Sequence, residues 1–117
     1  MATAFISKGS SNMEKYAWKA TVIDGKIDEY IKRHNEIWPE MLEVLNSAGI
    51  KNYTIWNVNN ELFGYYECEN GAAYAAKVQS ESEVVDRWNE YMKDVMVMDL
   101  DPITGAQPKL INVFSFK

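Results

Sequence analysis

The 117 residues contain one histidine, His34, and Tyr30 and Trp38 stand four residues to either side of it. Residues four apart on a helix lie on one face with Cβ atoms about 5–6 Å apart, so these three rings would form a single stripe. An imidazole between a phenol and an indole, with an ordinary pKa of about 6.5, is suited to passing protons to and from a small polar ligand. The same spacing also describes a histidine packed between helix and sheet with its ring bonded to a backbone carbonyl. One His, one Cys and no carboxylates at ligand spacing do not make a zinc or non-haem iron centre. The chain has no glycine-rich phosphate loop and no Gly-x-Ser-x-Gly elbow, which sets nucleotides and serine hydrolysis aside. What remains is His34 among tyrosines, tryptophans and asparagines. Flat aromatic faces beside amides and hydroxyls suit a sugar ring, whose C–H face stacks while its hydroxyls need paired donors and acceptors. Trp88-Asn89 offers such a pairing, although Trp88 also falls on an apolar helical stripe and reads equally as core.

The elements that must position these residues are legible from periodicity. Tyr16, Trp18, Ala20 and Val22 share a strand's parity, and Asp24-Gly25 closes that strand. With Asp24 as its cap, the 3.6-residue period predicts a long helix over Lys26–Ala48, kinked just after His34 because Pro39 removes a backbone donor. Ile50–Val58 and Glu61–Cys68 read as an antiparallel hairpin turned by Asn59-Asn60. A short helix over Ala72–Val78 follows. A capping box, Ser80 with Glu83, then opens a second long helix, whose stripe of Val84, Val85, Trp88, Tyr91, Met92, Val95 and Met96 ends near Met98. After an irregular connection from Asp101-Pro102 to Gln107-Pro108, residues Leu110–Phe116 alternate as a last strand.

The order βαββαβ predicts an α+β, ferredoxin-like sandwich with both helices on one face of a four-stranded sheet. Taken by parity, Tyr53, Ile55, Phe63, Tyr65, Ile111 and Val113 share one face, and Trp56, Leu62, Tyr66, Leu110 and Phe114 the other. Two helices cover one face only, so the second should pack on another chain or enclose a ligand cavity, and a homodimer joined sheet to sheet is the economical arrangement.

At this length one domain, 13–117, suffices, burying about 65% of its extended surface, with Met1–Asn12 expected to be a flexible leader. Seventeen acidic residues against twelve basic ones, without a basic cluster, argue against nucleic acid and anionic membrane surfaces as partners. No apolar run reaches transmembrane length. The lone Cys68 reads as a small buried hydrophobe in a reducing, cytoplasmic compartment rather than as a nucleophile.

The run Arg33-His34-Asn35-Glu36-Ile37-Trp38-Pro39-Glu40-Met41 closely resembles the signature of the L-rhamnose mutarotases. Asn52-Tyr53-Thr54-Ile55, Leu62-Phe63-Gly64-Tyr65-Tyr66-Glu67 and Arg87-Trp88-Asn89-Glu90-Tyr91-Met92 follow in that family's order, so the likeness spans about residues 14–116. It implies a dimeric α/β barrel of ferredoxin-like subunits and an isomerase that interconverts the α and β anomers of a 6-deoxy-hexose without a cofactor. It further implies His34 as catalytic acid, Tyr30 and Tyr53 as sugar-contacting tyrosines and Trp88 as the first of a tryptophan pair. Asn89 stands where many members carry the second tryptophan, trading a stacking face for an amide that could read hydroxyl configuration. L-fucose is the alternative substrate. Glu67 and Asp94 are acidic candidates for a second proton carrier, though such residues more often belong to the solvated surface. Two readings from other classes stand beside this one: a haem monooxygenase built on the same dimeric barrel, with the helix histidine on iron, and a non-catalytic sugar-binding module.

Overall fold

A computed structural model of the protein describes residues 13–100, 102–104, 107 and 110–116. The expected leader, 1–12, lies outside the described residues. Strand β1 (Glu14–Val22) leads into helices α1 (Ile27–Asn35) and α2 (Pro39–Ser47). The hairpin β2 (Ile50–Val58) and β3 (Glu61–Cys68) follows, then α3 (Ala72–Ser80), α4 (Glu83–Met92) and β4 (Met96–Met98). All pairings are antiparallel and the strand order is β2-β3-β1-β4, so the α+β, ferredoxin-like arrangement holds, with each helical layer position filled by two short helices.

The expected helix over Lys26–Ala48 is broken rather than kinked. Proline disfavours the helical region for the residue before it, and Trp38 is accordingly extended (φ −65°, ψ 137°), leaving Pro39 in the first turn of α2, where a missing N–H costs nothing. Asp24 does not cap α1. Lys26 holds the N-cap without a side-chain bond, and Asp24 Oδ1 instead accepts from Asn60 Nδ2 at 3.4 Å. The cap of α4 is Ser82, not Ser80, its Oγ accepting from Val85 N at 3.3 Å. Ser80 belongs to the last turn of α3 and donates to the Lys77 carbonyl.

The second long helix also ends early, at Met92. Its expected last turn, Met96–Met98, becomes the fourth strand, paired with Ala20–Val22 of β1. Asp99 reinforces that seam by accepting from Lys19 Nζ and Thr21 Oγ1, both at 2.8 Å. Leu110–Phe116, expected as the last strand, forms no ladder with the described residues; the β1 edge is paired by β4 instead, along Ala20–Val22.

Facing is set by the hairpin. Between the two-residue turn and the shift after Lys51, each cross-strand pair joins one odd and one even residue, as in Ile55↔Gly64 and Trp56↔Phe63, so the expected grouping by parity is wrong. Tyr53, Ile55, Leu62 and Tyr66 share the helix side with Trp18, Ala20 and Val22, whereas Trp56, Val58, Phe63, Tyr65 and Val97 share the open side. The buried core lies wholly under the helices, where Tyr30, Met41, Ala75, Trp88 and Met92 meet Trp18, Ala20, Val22, Leu62, Tyr66 and Cys68. Replacing Ser82 with alanine should lower unfolding stability by about 1 kcal/mol, the usual value of a side-chain N-cap, while Ser80→Ala should stay within about 0.5 kcal/mol of wild type in urea titrations.

Candidate active site

Helix α1 carries Tyr30 and His34 on its inner face, with their rings stacked at 4.3 Å. His34 Nδ1 lies 3.1 Å from the Tyr30 backbone oxygen. A carbonyl can only accept, so Nδ1 bears a hydrogen and the neutral ring keeps its lone pair on Nε2. Burial among rings lowers the His34 pKa below its ordinary 6.5, with the Tyr30 carbonyl opposing in part. The Tyr30 phenol, buried under α1, is pushed well above the usual tyrosine range. The imidazole is therefore a neutral base near pH 7 and, once protonated, a stronger acid than a free histidine.

Helix α4 supplies the facing wall. Trp88 stands edge-on to His34 at 5.5 Å and to Trp38 at 5.0 Å, so the broken helix still delivers its indole to the cluster. Trp38 and Trp88 both pack on Tyr91. The two helices are tied by Arg33, which donates to Glu29 at 2.7 Å, to Asp94 at 2.8 and 3.4 Å and to the Tyr91 carbonyl at 2.7 Å, with its guanidinium 4.4 Å from the Tyr91 ring centroid. His34, one residue on, is thereby fixed relative to Trp88.

The third wall is the sheet. Between Lys51↔Glu67 and Thr54↔Tyr65 the ladder shifts, so Asn52 and Tyr53 together face Tyr66, and Asn52 takes a positive φ of 51°. Such a bulge re-aims side chains. Tyr53 turns under the helices, its ring 4.8 Å from that of Tyr66, while Asn52 Nδ2 donates to Glu67 at 2.8 Å. The Tyr53 oxygen accepts from the Trp18 indole at 3.1 Å, and burial holds this phenol far above the ordinary tyrosine pKa against the weaker, opposite pull of that bond.

These walls enclose an open cavity of about 1100 Å³. Tyr30, His34, Tyr53, Trp88 and Asn89, the five residues singled out from sequence, all line it. The cavity lies between helices and sheet, so the open sheet face takes no part in it. Glu67 and Asp94 do not line it. Each is already engaged, Glu67 by Asn52 and Tyr65 and Asp94 by Arg33, and both carboxyls are held below their ordinary pKa values by those bonds. Asp86, which sequence reasoning passed over, is the carboxylate among the described lining residues, and Trp18, Tyr66, Asn57 and Gln107 join it. Gln107 accepts from the Tyr16 hydroxyl at 2.6 Å. Trp18 had a signal in the sequence: Gly64, a glycine in mid-strand, marks a close approach. Cys68 is fully buried.

Fold and cavity together define a class, small ferredoxin-like α+β proteins with a histidine set among aromatic and amide walls. Within that class, residues 15–116 match the family model described as L-rhamnose mutarotase. The chain belongs to the L-rhamnose mutarotase family. It is 42% identical to the L-rhamnose mutarotase of Pectobacterium carotovorum over 98 residues, 80% of this chain and 92% of that one. The corresponding protein of Lachnoclostridium phytofermentans is 37% identical over 104 residues, covering 87% of this chain and 97% of the relative. The crystal structure of an L-rhamnose mutarotase from Formosa agariphila superimposes with a TM-score of 0.72 at 26% identity, covering 89% of this chain and 99% of that chain.

The lowered His34 pKa has a thermodynamic sign. The unfolded chain, with its histidine near 6.5, binds the proton more readily than the folded one, so this group's contribution to stability is present above that value and is lost as pH falls from there through the lower folded pKa. An NMR titration of the imidazole C2 proton should give a single midpoint below 6.5, moving toward 6.5 in denaturant.

Proposed function

We propose that this chain is an L-rhamnose mutarotase, an isomerase interconverting the α and β anomers of its sugar by opening and closing the ring. The observation that carries the mechanism is the His34 imidazole, anchored through Nδ1 to the Tyr30 carbonyl with Nε2 left for the reaction. In the forward sense a proton reaches the ring oxygen, the C1–O5 bond breaks, and the anomeric hydroxyl gives up its proton as the aldehyde forms. Rotation about C1–C2 and reversal of both transfers returns the other anomer.

In this reading the protonated form of His34, made a stronger acid by its burial, delivers its Nε2 proton to the ring oxygen, and the neutral ring so formed takes the proton back on closure. The anomeric proton passes to water or to Asp86. Tyr30 holds the imidazole by stacking, Trp88 and Tyr53 hold the ring, and Asn89 bonds a hydroxyl. General acid–base catalysis of this kind is worth roughly 10²–10⁴-fold, sufficient for a reaction that already proceeds in water. The relatives' names favour L-rhamnose over L-fucose, and they favour neither a haem enzyme nor a passive sugar-binding module.

The open sheet face is the seam of a homodimer within this proposal. Trp56 is 69% exposed there beside Val58 and Val97, and Ile111, Val113, Phe114 and Phe116 are exposed as well. So much bare apolar surface is abnormal for a single chain, and a second copy offers the same surface in return. None of the described helices is long and apolar enough to cross a membrane. A sugar-metabolic role and a single buried thiol fit the cytoplasm.

His34→Ala should abolish accelerated anomer exchange of L-rhamnose in saturation-transfer NMR while the sugar still binds; exchange at the wild-type rate would remove His34 from the mechanism. Trp56→Lys combined with Val58→Lys should shift sedimentation from twice the chain mass to once, with the circular dichroism of the folded chain retained.

A further inference from the structure

We propose that Trp18 is a positioning residue for the reaction, and that it works by fixing the direction in which the Tyr53 hydroxyl donates to the sugar. This rests on the cavity being the sugar site. The indole Nε1 lies 3.1 Å from the Tyr53 oxygen. An indole N–H can only donate, so the phenol oxygen is the acceptor and its own hydrogen must point elsewhere. Tyr53 lines the cavity, and that hydrogen is offered to whatever occupies it. Without Trp18 the hydroxyl could rotate and accept as readily as donate. With it, Tyr53 becomes a donor of defined direction, and the bond it accepts strengthens the bond it gives.

Gly64 shows that the indole's place is built rather than incidental. Gly64 is the cross-strand partner of Trp18, and a Cβ there would lie 2.0 Å from Cε2, 2.2 Å from Nε1 and 2.4 Å from Cζ2, the edge that carries the N–H. The position does not have the positive φ that would itself call for glycine. Glycine in mid-strand weakens a sheet, and here its one structural use is to let the ring lie flat across β3 with its nitrogen turned to Tyr53. A tryptophan serving only as core would tolerate rotation of that edge; one serving as a donor would not.

The test separates this role from packing. In anomer exchange on L-rhamnose, Trp18→Phe keeps an aromatic ring but removes the N–H, and it should raise KM roughly three- to tenfold, the effect of one neutral hydrogen bond, with kcat nearly unchanged. Gly64→Ala should move KM in the same direction. In a Tyr53→Phe background Trp18→Phe should add nothing, because the effect passes through the hydroxyl that is already gone. A wild-type KM for Trp18→Phe, or its full effect on top of Tyr53→Phe, would overturn the proposal. Should Trp18→Phe fail to fold, the indole N–H resonances decide: Tyr53→Phe should shift one of the four tryptophan signals, and a spectrum with all four unmoved would refute the bond. If the wild-type protein accelerates no exchange at all, the functional reading fails instead, and the resonance experiment still judges the Trp18–Tyr53 contact by itself.

Discussion

A chain this small ordinarily closes its interior to the density of a molecular crystal, yet here about 1100 Å³ is kept open between helices and sheet. Holding walls apart against collapse is the constraint that organises the structure. It explains why the lining is aromatic, since rings pack against one another and span distances that aliphatic groups would fill by folding in. Tyr30, His34, Trp88, Trp38 and Tyr91 form one continuous run of ring contacts from α1 to α4. The Arg33 ion pairs lock the outside of that run. Exposed pairs of this kind add little to stability individually, but a guanidinium with several oxygen partners over a tyrosine face holds one geometry, and geometry is what the site needs.

The chemistry that results is economical. A reaction that needs no covalent intermediate needs no thiolate, and the one cysteine, Cys68, is buried away from the described lining. It needs a group able to hold and release a proton without leaving its place. Anchoring Nδ1 leaves the imidazole one reactive nitrogen, and burial keeps it uncharged until the sugar presents a partner. The tyrosines, with their phenols held well above their usual pKa, stay protonated and act as donors rather than bases.

Much of this was legible in the residues alone. The strand and helix periods gave the order of elements, and the residues that spacing and the family resemblance together picked out, His34, Tyr30, Tyr53, Trp88 and Asn89, do converge on one cavity. The misreadings have physical causes. Periodicity does not distinguish a kinked helix from two helices when the residue before a proline can simply extend, as Trp38 does. Met96–Met98 continues an apolar helical stripe and so reads as a last helical turn, yet it pairs with Ala20–Val22, while the alternating Leu110–Phe116 joins no ladder with the described residues, because edge pairing is settled by the partner strand and not by local pattern. Face assignment failed because a two-residue turn pairs odd with even residues and the bulge at Asn52-Tyr53 changes parity again. Such facts belong to register, which is settled by pairing across the sheet and not by either strand alone.

The bulge carries a consequence for how such a protein can change over time. Because Asn52 and Tyr53 together occupy the place of one residue opposite Tyr66, the side chain at 53 is uncoupled from the ladder on either side of it. Mutation there can reshape what the binding site accepts while the strands keep their alignment, provided the new side chain still gives the buried Trp18 N–H an acceptor. The architecture separates the part that must be inherited intact from the part that selection is free to try.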